Sequence, residues 1–479
     1  MVYQKVSWRL LENVPTVKKQ IIEQISVTGI SAEGYGIGKL EDGKVVFIPY
    51  TAIGDEAIVK VTKSKKSYAE GVMLELVKPS EIRRVPTCSH FGLCGGCKTQ
   101  HIPYPEQLRI KSKTVRDAFE RIGKVALPEI NAIIGCENEF NYRNKLEFGC
   151  TNRKWLTNVE LETAGDSERR GIGFHVPGSF SGILDIEHCY LLEASNKIRL
   201  AIRDFALLHN CSFYNIKDKV GLLRNVLVRT TSTNEMLVLV SFIEDDKKHV
   251  SALMNFIETT FPEITSLQYV INPKLNDTIY DLHPVVIKGN PFITEQLGNY
   301  KFQLGPKSFF QTNSRQAKLL YDVTKNFAGL TGNENVYDLY TGVGSIAIYV
   351  SDACKQVMGI EQIDAAIADA KENAKLNNVS NTHFYTGDVR MILNEALLQK
   401  HGKPDVIITD PPRAGMHEDV VKTLLQAEVK RLVYVSCNAA TQARDAALLD
   451  EKYCITKMQP VDMFPQTMHI ENVALLELR

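Results

Sequence analysis

The sequence predicts a multidomain protein with an N-terminal OB-like β-barrel, a central mixed α+β domain and a C-terminal doubly wound α/β domain. A chain of 479 residues is longer than one ordinary hydrophobic core supports, so roughly two to three domains are expected. Residues 18–82 contain several short strand-like runs separated by glycine-rich turns, a pattern typical of a small barrel. Residues 301–479 alternate strand-like and helical segments, which predicts a parallel sheet covered by helices.

The barrel and the charge pattern favour contact with nucleic acid. Barrels of the OB type commonly bind oligonucleotides, although the fold alone does not establish that function. Residues 60–84 carry seven Lys or Arg against three Glu, and residues 107–124 carry six against two acids. Such runs are either ordinary solvated faces or surfaces that track a phosphate backbone. The zero net charge of the whole chain argues against a strongly cationic coat.

The composition is that of a soluble globular protein, with 44% hydrophobic and 23% charged residues. No apolar run approaches the roughly 18 residues of a membrane-spanning helix, so no membrane partner is expected. The N-terminal MVYQKVSWRLLENVPTVKKQ has no apolar core of a secretory signal. These observations favour a cytoplasmic location, where cysteines stay reduced.

A cluster of cysteines predicts a metal centre. Cys88, Cys94 and Cys97 follow a C-x5-C-x2-C spacing, with two glycines between the last two thiols. Three thiols this close can fold around one centre, and both zinc and iron–sulfur clusters accept four cysteines. We expect Cys189, in Glu-His-Cys-Tyr, to be the fourth ligand.

The cysteine cluster lies in a predicted central domain, residues 86–300. Strand-like segments such as 145–150 and 236–242 occur there with helical ones such as 191–208, which predicts a mixed α+β fold. Residues 104–123 are predicted to form an amphipathic helix in the same region, with an apolar side made by Leu108, Val115, Ala118, Phe119 and Ile122.

A glycine loop in the C-terminal domain predicts a cofactor site. Asp338-Leu-Tyr-Thr-Gly-Val-Gly-Ser-Ile-Ala347 joins a strand to a helix, where glycines allow a ligand to approach the backbone. The spacing also satisfies G-x-G-x-x-A, so an NAD site is a rival. Glu361, at the end of the next strand, suits ribose hydroxyls in either case. Asp338 favours S-adenosylmethionine, whose amine is cationic.

Two further motifs follow predicted strands. Asp410-Pro-Pro-Arg413 resembles the fourth-strand motif of S-adenosylmethionine-dependent methyltransferases. An aromatic residue follows the prolines in members that methylate amines, so Arg413 argues against an amine acceptor and leaves a carbon acceptor open. Cys437 sits at the carboxyl end of the strand 431–435, where ligands of open α/β sheets bind.

Cys437 and Glu471 are the predicted catalytic pair. A free Cys taken alone is more often a small buried hydrophobe, and an isolated Glu is usually a surface residue. The neighbouring motifs reverse that interpretation. A thiolate is the side chain best suited to reversible conjugate addition, and a carboxylate can act as the base that removes a proton.

Taken together, these motifs resemble the RNA uracil-5-methyltransferase family, and more closely its ribosomal branch, which methylates uridine in 23S rRNA. The resemblance covers nearly the whole chain. It implies that the barrel is a TRAM domain, an RNA-binding OB-like module, and that Cys88, Cys94, Cys97 and Cys189 hold a 4Fe–4S cluster. It also implies that the helix 104–123 packs on the catalytic domain.

The resemblance further implies a cofactor, S-adenosyl-L-methionine, and the residues that contact it. Cys437 is the implied nucleophile and Glu471 the implied base. Phe309 or Phe310 is expected to stack on a flipped base. The implied cofactor contacts are Gln311, Tyr340, Gly342, Ser345, Glu361, Asp388 and Asp410.

Other function classes remain open at this point. A non-catalytic RNA-binding protein needs the barrel and the basic runs but has no use for Cys437 together with Glu471. A redox iron–sulfur enzyme with NAD uses the glycine loop but leaves Asp410-Pro-Pro-Arg413 unexplained. Within the family, tRNA is the alternative substrate to 23S rRNA. We expect a monomer.

Overall fold

The computed structural model describes residues 21–163 and 168–479. Two expectations lie outside the described residues: that residues 1–20 carry no secretory signal, and that the barrel begins at residue 18. No helix in the described ranges is both long and apolar enough to cross a lipid bilayer.

The N-terminal strands form one six-stranded sheet in the order β1-β5-β6-β4-β3-β2. The sheet curls so that β1 also contacts β3, and alternate side chains of β5 are buried inside it. The predicted small barrel is therefore confirmed. Its strands are β1 Ile22–Ser26, β2 Gly29–Ile30, β3 Tyr35–Lys39, β4 Val45–Pro49, β5 Glu56–Ser64 and β6 Tyr68–Lys78.

A helix then crosses to the C-terminal part of the molecule. It consists of α1, Tyr104–Ala118, and a π-helical turn, Phe119–Gly123. Its buried residues Val115, Ala118 and Phe119 belong to the hydrophobic core of the C-terminal sheet. The wider π-helical turn changes the phase of the helix, so Ile122 is 50% exposed although the α-helical pattern predicts it on the buried face.

The central residues form a seven-stranded mixed sheet in the order β13-β12-β11-β10-β7-β8-β9. Two helices, α3 and α4, cover the face whose core includes Phe148, Val226 and Val238. The strands are β7 Lys145–Thr151, β8 Gly171–His175, β9 Ile183–Asp185, β10 Leu223–Thr230, β11 Met236–Phe242, β12 Ser266–Ile271 and β13 Val285–Lys288, and the helices are α2 Asn158–Thr163, α3 Ala194–Leu208 and α4 Lys247–Thr260.

A hairpin leads into the C-terminal domain, whose seven strands lie in the order β18-β17-β16-β19-β20-β22-β21. The first five strands in this order are parallel, and β22 runs antiparallel to β20 and β21. The strands are β14 Ile293–Leu297 and β15 Tyr300–Leu304 of the hairpin, then β16 Asn335–Leu339, β17 Gln356–Glu361, β18 Thr382–Thr386, β19 Val406–Thr409, β20 Arg431–Ser436, β21 Tyr453–Val461 and β22 Glu471–Leu478.

Helices cover both faces of this sheet, which confirms the doubly wound prediction. Successive residues of β16 enter different cores, since Val336 faces one helical layer and Tyr337 the other. The helices are α5 Ser314–Ala328, α6 Ser345–Val350, α7 Asp364–Leu376, α8 Val389–Ile392, α9 Glu395–His401, α10 Glu418–Ala427 and α11 Ala439–Leu449, with a 3-10 turn at Ser351–Ala353.

This strand order fixes where a site can form. The chain leaves β16 for β17 on one side and returns through β19 on the other, so β16 and β19 flank a topological switch point. Ligands of open α/β sheets bind at such points, beyond the carboxyl ends of the strands. Because β22 runs antiparallel to β20, the first residue of β22 lies at the same edge of the sheet as the last residue of β20.

Candidate active site

One cavity of about 710 Å³ opens at this edge of the sheet. Most of the predicted site residues line it, namely Gln311, Tyr340, Gly342, Glu361, Asp388, Asp410, Cys437 and Glu471. Ser345 is the exception. It begins α6, and its hydroxyl pairs with the Tyr321 hydroxyl at 2.9 Å, away from the lining.

The glycine loop after β16 presents its backbone to the cavity. Gly342 has φ +55°, which favours glycine, and open space lies where a Cβ would stand. Its N–H donates to Glu361 Oε2 at 3.2 Å, and the Ile363 N–H donates to Oε1 at 3.0 Å. The Glu361 carboxylate is thereby held at the end of β17, facing the loop.

Asp338 fixes the same loop from beneath. Its Oδ2 accepts hydrogen bonds from the Thr341 hydroxyl at 2.5 Å and from the Ala347 N–H at 3.1 Å. Its other carboxylate oxygen is buried and has no partner among the described residues. Burial raises the pKa of Asp338 to about 7. The Asp338 carboxyl therefore stabilises the conformation of the loop and does not line the cavity.

Asp388 follows β18 and is strongly ionised. Its carboxylate pairs with the guanidinium of Arg390 at 3.0 Å and accepts the Arg390 backbone N–H, which caps α8. The Arg390 side chain lowers the pKa of Asp388 to about 2. Both residues line the cavity, so this wall presents hydrogen-bond acceptors and a guanidinium together.

Two further carboxyl groups line the cavity, the half-buried Asp410 and the buried Glu471. Burial raises the pKa of Asp410 to about 7. Burial, and then the charge of Asp410, raise the pKa of Glu471 well above its usual range, while the Arg413 guanidinium acts in the opposite direction. Glu471 Oε2 is buried without a partner among the described residues. A carboxyl in such surroundings binds a proton more readily than an exposed carboxyl does.

Cys437 is half-buried between the end of β20 and the start of α11. Burial, and then Glu471 and Asp410, raise the pKa of its thiol to about 11, and Arg413 opposes this shift. The next residue, Asn438, caps α11 and donates from Nδ2 to the Arg413 carbonyl at 3.0 Å. This hydrogen bond joins the loop after β19 to the loop that carries the thiol.

A loop at 462–469 adds two residues that the sequence analysis missed, Phe464 and His469. His469 Nε2 lies 3.4 Å from Nη2 of Arg413. Burial lowers the pKa of His469 to about 4, so the ring is neutral at physiological pH. His469 begins the His-Ile-Glu-Asn-Val motif that contains the predicted base Glu471, but that motif gave no role for the histidine.

Buried contacts from other parts of the chain hold this loop. The Lys111 ammonium and the Asp462 carboxylate form a fully buried ion pair at 2.6 Å, and the Tyr104 hydroxyl donates to Asp462 at 2.8 Å. The Tyr142 hydroxyl donates to the Pro465 carbonyl at 2.9 Å. The shape of this cavity wall therefore depends on α1 and on the central domain.

The segment before α5 contains both phenylalanines that were candidates for stacking on the target base, and only one of them faces the cavity. Phe309 lines the cavity and is 66% exposed, whereas Phe310 is 2% exposed and packs against Phe302 with ring centroids 5.6 Å apart. The structure therefore presents Phe309 to a ligand and places Phe310 in the core.

The four predicted metal ligands come together in the central domain. Cys88, Cys94, Cys97 and Cys189 all line one cavity of about 460 Å³. Gly95 is required there, because a Cβ would lie 2.7 Å from the His175 carbonyl oxygen. No group of three or more His, Cys, Asp or Glu within residues 21–163 and 168–479 is set to hold a metal ion.

Comparison with known proteins decides the family. Residues 288–479 match the family described as tRNA (Uracil-5-)-methyltransferase, and residues 22–74 match the TRAM domain. An uncharacterized RNA methyltransferase of Bacteroides thetaiotaomicron is 51% identical over 455 residues, which cover 94% of this chain and 100% of that protein. The chain belongs to the RNA uracil-5-methyltransferase family. The predicted TRAM domain and the predicted family are thus confirmed.

Two further relatives support the full-length similarity of this RNA uracil-5-methyltransferase. An uncharacterized RNA methyltransferase of Chlorobaculum tepidum is 38% identical and covers 96% of this chain and 97% of its own length. The solved tRNA (uracil-54, C5)-methyltransferase of Pyrococcus abyssi, in complex with S-adenosyl-L-homocysteine, is 28% identical with a TM-score of 0.74, covering 95% of this chain and 100% of that one.

Proposed function

We propose that this protein transfers a methyl group from S-adenosyl-L-methionine to C5 of a uridine in RNA. One observation carries the proposal: the Cys437 thiol, the Asp410 and Glu471 carboxyls and the glycine loop open onto a single cavity. The Pyrococcus abyssi relative was solved with S-adenosyl-L-homocysteine, which supports this donor. The contacts assigned to it are Gln311, Tyr340, Gly342, Glu361, Asp388 and Asp410.

The nucleophile is needed because C5 of uracil is a poor nucleophile by itself. The Cys437 sulfur adds to C6, the thiol proton passes to the Asp410 carboxylate, and the C5–C6 electron pair moves toward C5 and O4, so that Glu471 stays free to accept the later proton. When bound, S-adenosyl-L-methionine would supply an electrophilic methyl group to C5, with S-adenosyl-L-homocysteine as the leaving group. Addition by a thiolate is reversible, so the enzyme can be recovered afterwards.

The base completes the cycle. Glu471 removes the proton from C5, the C5–C6 double bond forms again, and the Cys437 thiolate leaves. A carboxyl with a raised pKa is suited to this step, because it binds the proton more strongly than an exposed glutamate does. Arg413 lowers the pKa of Cys437, so it stabilises the thiolate on departure.

Phe309 is assigned as the residue on which the target base stacks. An enzyme that acts on a base must take it out of its stack, and stacking on an aromatic ring is worth about 1–3 kcal/mol per base. Phe309→Ala should therefore weaken binding of the RNA, while Phe309→Tyr should retain it.

We propose 23S rRNA as the substrate, by resemblance to the ribosomal branch. A tRNA is the second candidate, because the Pyrococcus abyssi relative is a tRNA enzyme. Mass-spectrometric mapping of 5-methyluridine in rRNA and tRNA from a deletion strain separates them. A site lost from 23S rRNA, and restored by the wild-type gene but not by Cys437→Ala, supports the proposal. Loss from tRNA alone would replace the substrate, and unchanged RNA would contradict the function.

We also propose that Cys88, Cys94, Cys97 and Cys189 hold a 4Fe–4S cluster with a structural role. Their shared cavity supports it, and the chemistry above needs no electron. Protein purified without oxygen should be brown and contain iron. Cys189→Ser should lose most of the iron, whereas Cys211→Ser, at a buried cysteine away from this cavity, should keep it. A colourless protein with stoichiometric zinc would overturn the assignment.

A further inference from the structure

A second exposed aromatic ring stands at the mouth of the active-site cavity. Among the described residues, the exposed phenylalanine and tyrosine side chains are Tyr35, Phe180, Tyr280 and Phe309, and the last two line this cavity. Tyr280 is 55% exposed. We propose that Tyr280 is a second stacking platform, which holds the base of a nucleotide adjacent to the target uridine. This inference rests on the proposed function.

The loop that carries Tyr280 is built to hold its shape. It joins β12 to β13 in the central domain, and the buried Arg224 side chain fastens it from beneath. The Arg224 guanidinium donates to the Asn272 carbonyl at 2.8 Å, to the Lys274 carbonyl at 2.5 Å and to the Asp277 carboxylate at 2.8 Å. Lys274 also pairs with Asp281, directly after the tyrosine.

The two aromatic platforms are linked although they come from different sheets. The Lys307 ammonium donates to the Tyr280 carbonyl at 3.1 Å, and Lys307 lies two residues before Phe309. The buried Arg229 of β10 donates to the Gly305 and Ser308 carbonyls at 2.9 and 2.8 Å. The central domain therefore determines the position of both rings at the cavity mouth.

The chemistry of an RNA loop explains why two rings are useful. Extrusion of the target base also breaks the stacking of its neighbour, and single-stranded RNA is bound by stacking such bases on aromatic side chains. An exposed ring on a fixed loop replaces that lost stacking at little conformational cost. The partner is thus a single-stranded RNA segment in which at least two successive bases are unstacked.

The test compares Tyr280→Ala with a matched control. Phe180→Ala removes an aromatic ring that is 81% exposed and does not line the cavity. The probe is a short single-stranded oligoadenosine RNA with one central uridine, bound in the presence of S-adenosyl-L-homocysteine. Tyr280→Ala should weaken its affinity about 5- to 150-fold, the range that one stacked base implies. Tyr280→Trp should keep the RNA affinity of the wild type, and neither variant should change the affinity for S-adenosyl-L-homocysteine.

Abasic RNA identifies the base. When the flanking nucleotide that stacks on Tyr280 is made abasic, the RNA affinity of the wild type should fall by the same factor as in Tyr280→Ala. The RNA affinity of Tyr280→Ala should not fall further with this abasic RNA. An effect of Tyr280→Ala that is equal on all abasic RNAs, or no larger than that of Phe180→Ala, would overturn the inference. These readouts need no methyl transfer. The abasic pattern without any 5-methyluridine would therefore contradict the proposed function and leave the subsite standing.

Discussion

At Cys437, burial and two carboxyl groups act against the thiolate, and Arg413 acts for it. The pKa of the thiol is raised to about 11, so only a small fraction is ionised at pH 8. We therefore expect the free enzyme to react slowly with alkylating and oxidising agents, since the thiolate is the reactive form. The Cys437 thiol must therefore become reactive by transferring its proton to another group of the cavity after the target uracil has bound.

This balance predicts the pH dependence of alkylation. Below a pKa of about 11, the rate of Cys437 alkylation by iodoacetamide should rise about tenfold per pH unit, because the thiolate fraction does. Removal of a cation raises a thiol pKa, so Arg413→Gln should slow alkylation at pH 8 by about three- to tenfold. Arg413→Lys, which keeps the charge, should lose less.

Mass spectrometry of the peptide that contains Cys437 measures this rate separately from the other cysteines. A rate that is already constant above pH 8 would show a low thiol pKa and contradict the electrostatic description. Equal alkylation rates in Arg413→Gln and the wild type would show that Arg413 does not lower the pKa of Cys437.

At the residue scale, the sequence predicts those residues whose position follows from one strand. Asp410 and Cys437 each end a parallel strand, so a general rule brings them to one edge. His469 and Phe464 could not be predicted in this way. Their loop is held by the Lys111–Asp462 pair, which joins residues 351 positions apart, and no local pattern encodes such a contact.

At the scale of elements, β10 of the central domain supports the segment that precedes α5. The Arg229 guanidinium donates to two carbonyls of this segment, and the Asn144 side chain donates to the Gln311 carbonyl at 2.9 Å. Gln311 and Phe309 both face the cavity. The segment would otherwise be an irregular loop, so these bonds give it a fixed conformation.

Arg229→Lys tests this support. A lysine is a single point donor and cannot replace a planar guanidinium that reaches two carbonyls, so affinity for S-adenosyl-L-homocysteine should fall about tenfold. Arg224→Lys is the control, because Arg224 is a buried arginine of the same strand that bonds a different loop. Both variants should lower Tm, but only Arg229→Lys should weaken cofactor binding in calorimetry. An equal loss in both variants would indicate a general loss of stability.

The elements also show where pattern analysis fails. Strands β16, β17 and β20 are apolar runs between turns, and the sequence predicts them well. The edge strand β21 was missed, because an irregularity between Ile455 and Lys457 breaks its alternation and Pro460 lies near its end. Its place in the sheet depends on pairing with β22, which is a tertiary interaction.

At the scale of the whole molecule, the TRAM barrel contacts the 462–469 loop, which supplies Phe464 and His469 to the catalytic cavity. Its turn at Gly34 lies so close to Met468 that a Cβ there would stand 2.7 Å from the Met468 Cγ. The Lys98 ammonium donates to the Glu33 carbonyl at 3.2 Å. Exposed lysines at the tip of the β5–β6 hairpin extend from the same barrel. We therefore propose that the barrel binds the backbone of the RNA whose base enters the cavity.

The salt dependence of RNA binding tests the role of the barrel. Each phosphate contact to a single strand contributes about 0.7 to the slope of log affinity against log salt. Lys65→Ser with Lys66→Ser should therefore reduce the slope by about 1.4 and leave cofactor affinity unchanged. The control is Lys247→Ser with Lys248→Ser, two exposed lysines of α4. A slope equal to that of the wild type would exclude the hairpin from the RNA-binding surface.

The fate of the RNA in Glu471→Gln tests the proposed roles of Cys437 and Glu471 most directly. If Cys437 attacks C6 and Glu471 removes the C5 proton, this variant should complete addition and methyl transfer and then stop. A protein–RNA adduct that carries labelled methyl should survive denaturing gel electrophoresis, and the double variant Cys437→Ala with Glu471→Gln should form none. Methylated RNA released by Cys437→Ala, or an inactive Glu471→Gln with no adduct, would contradict the account.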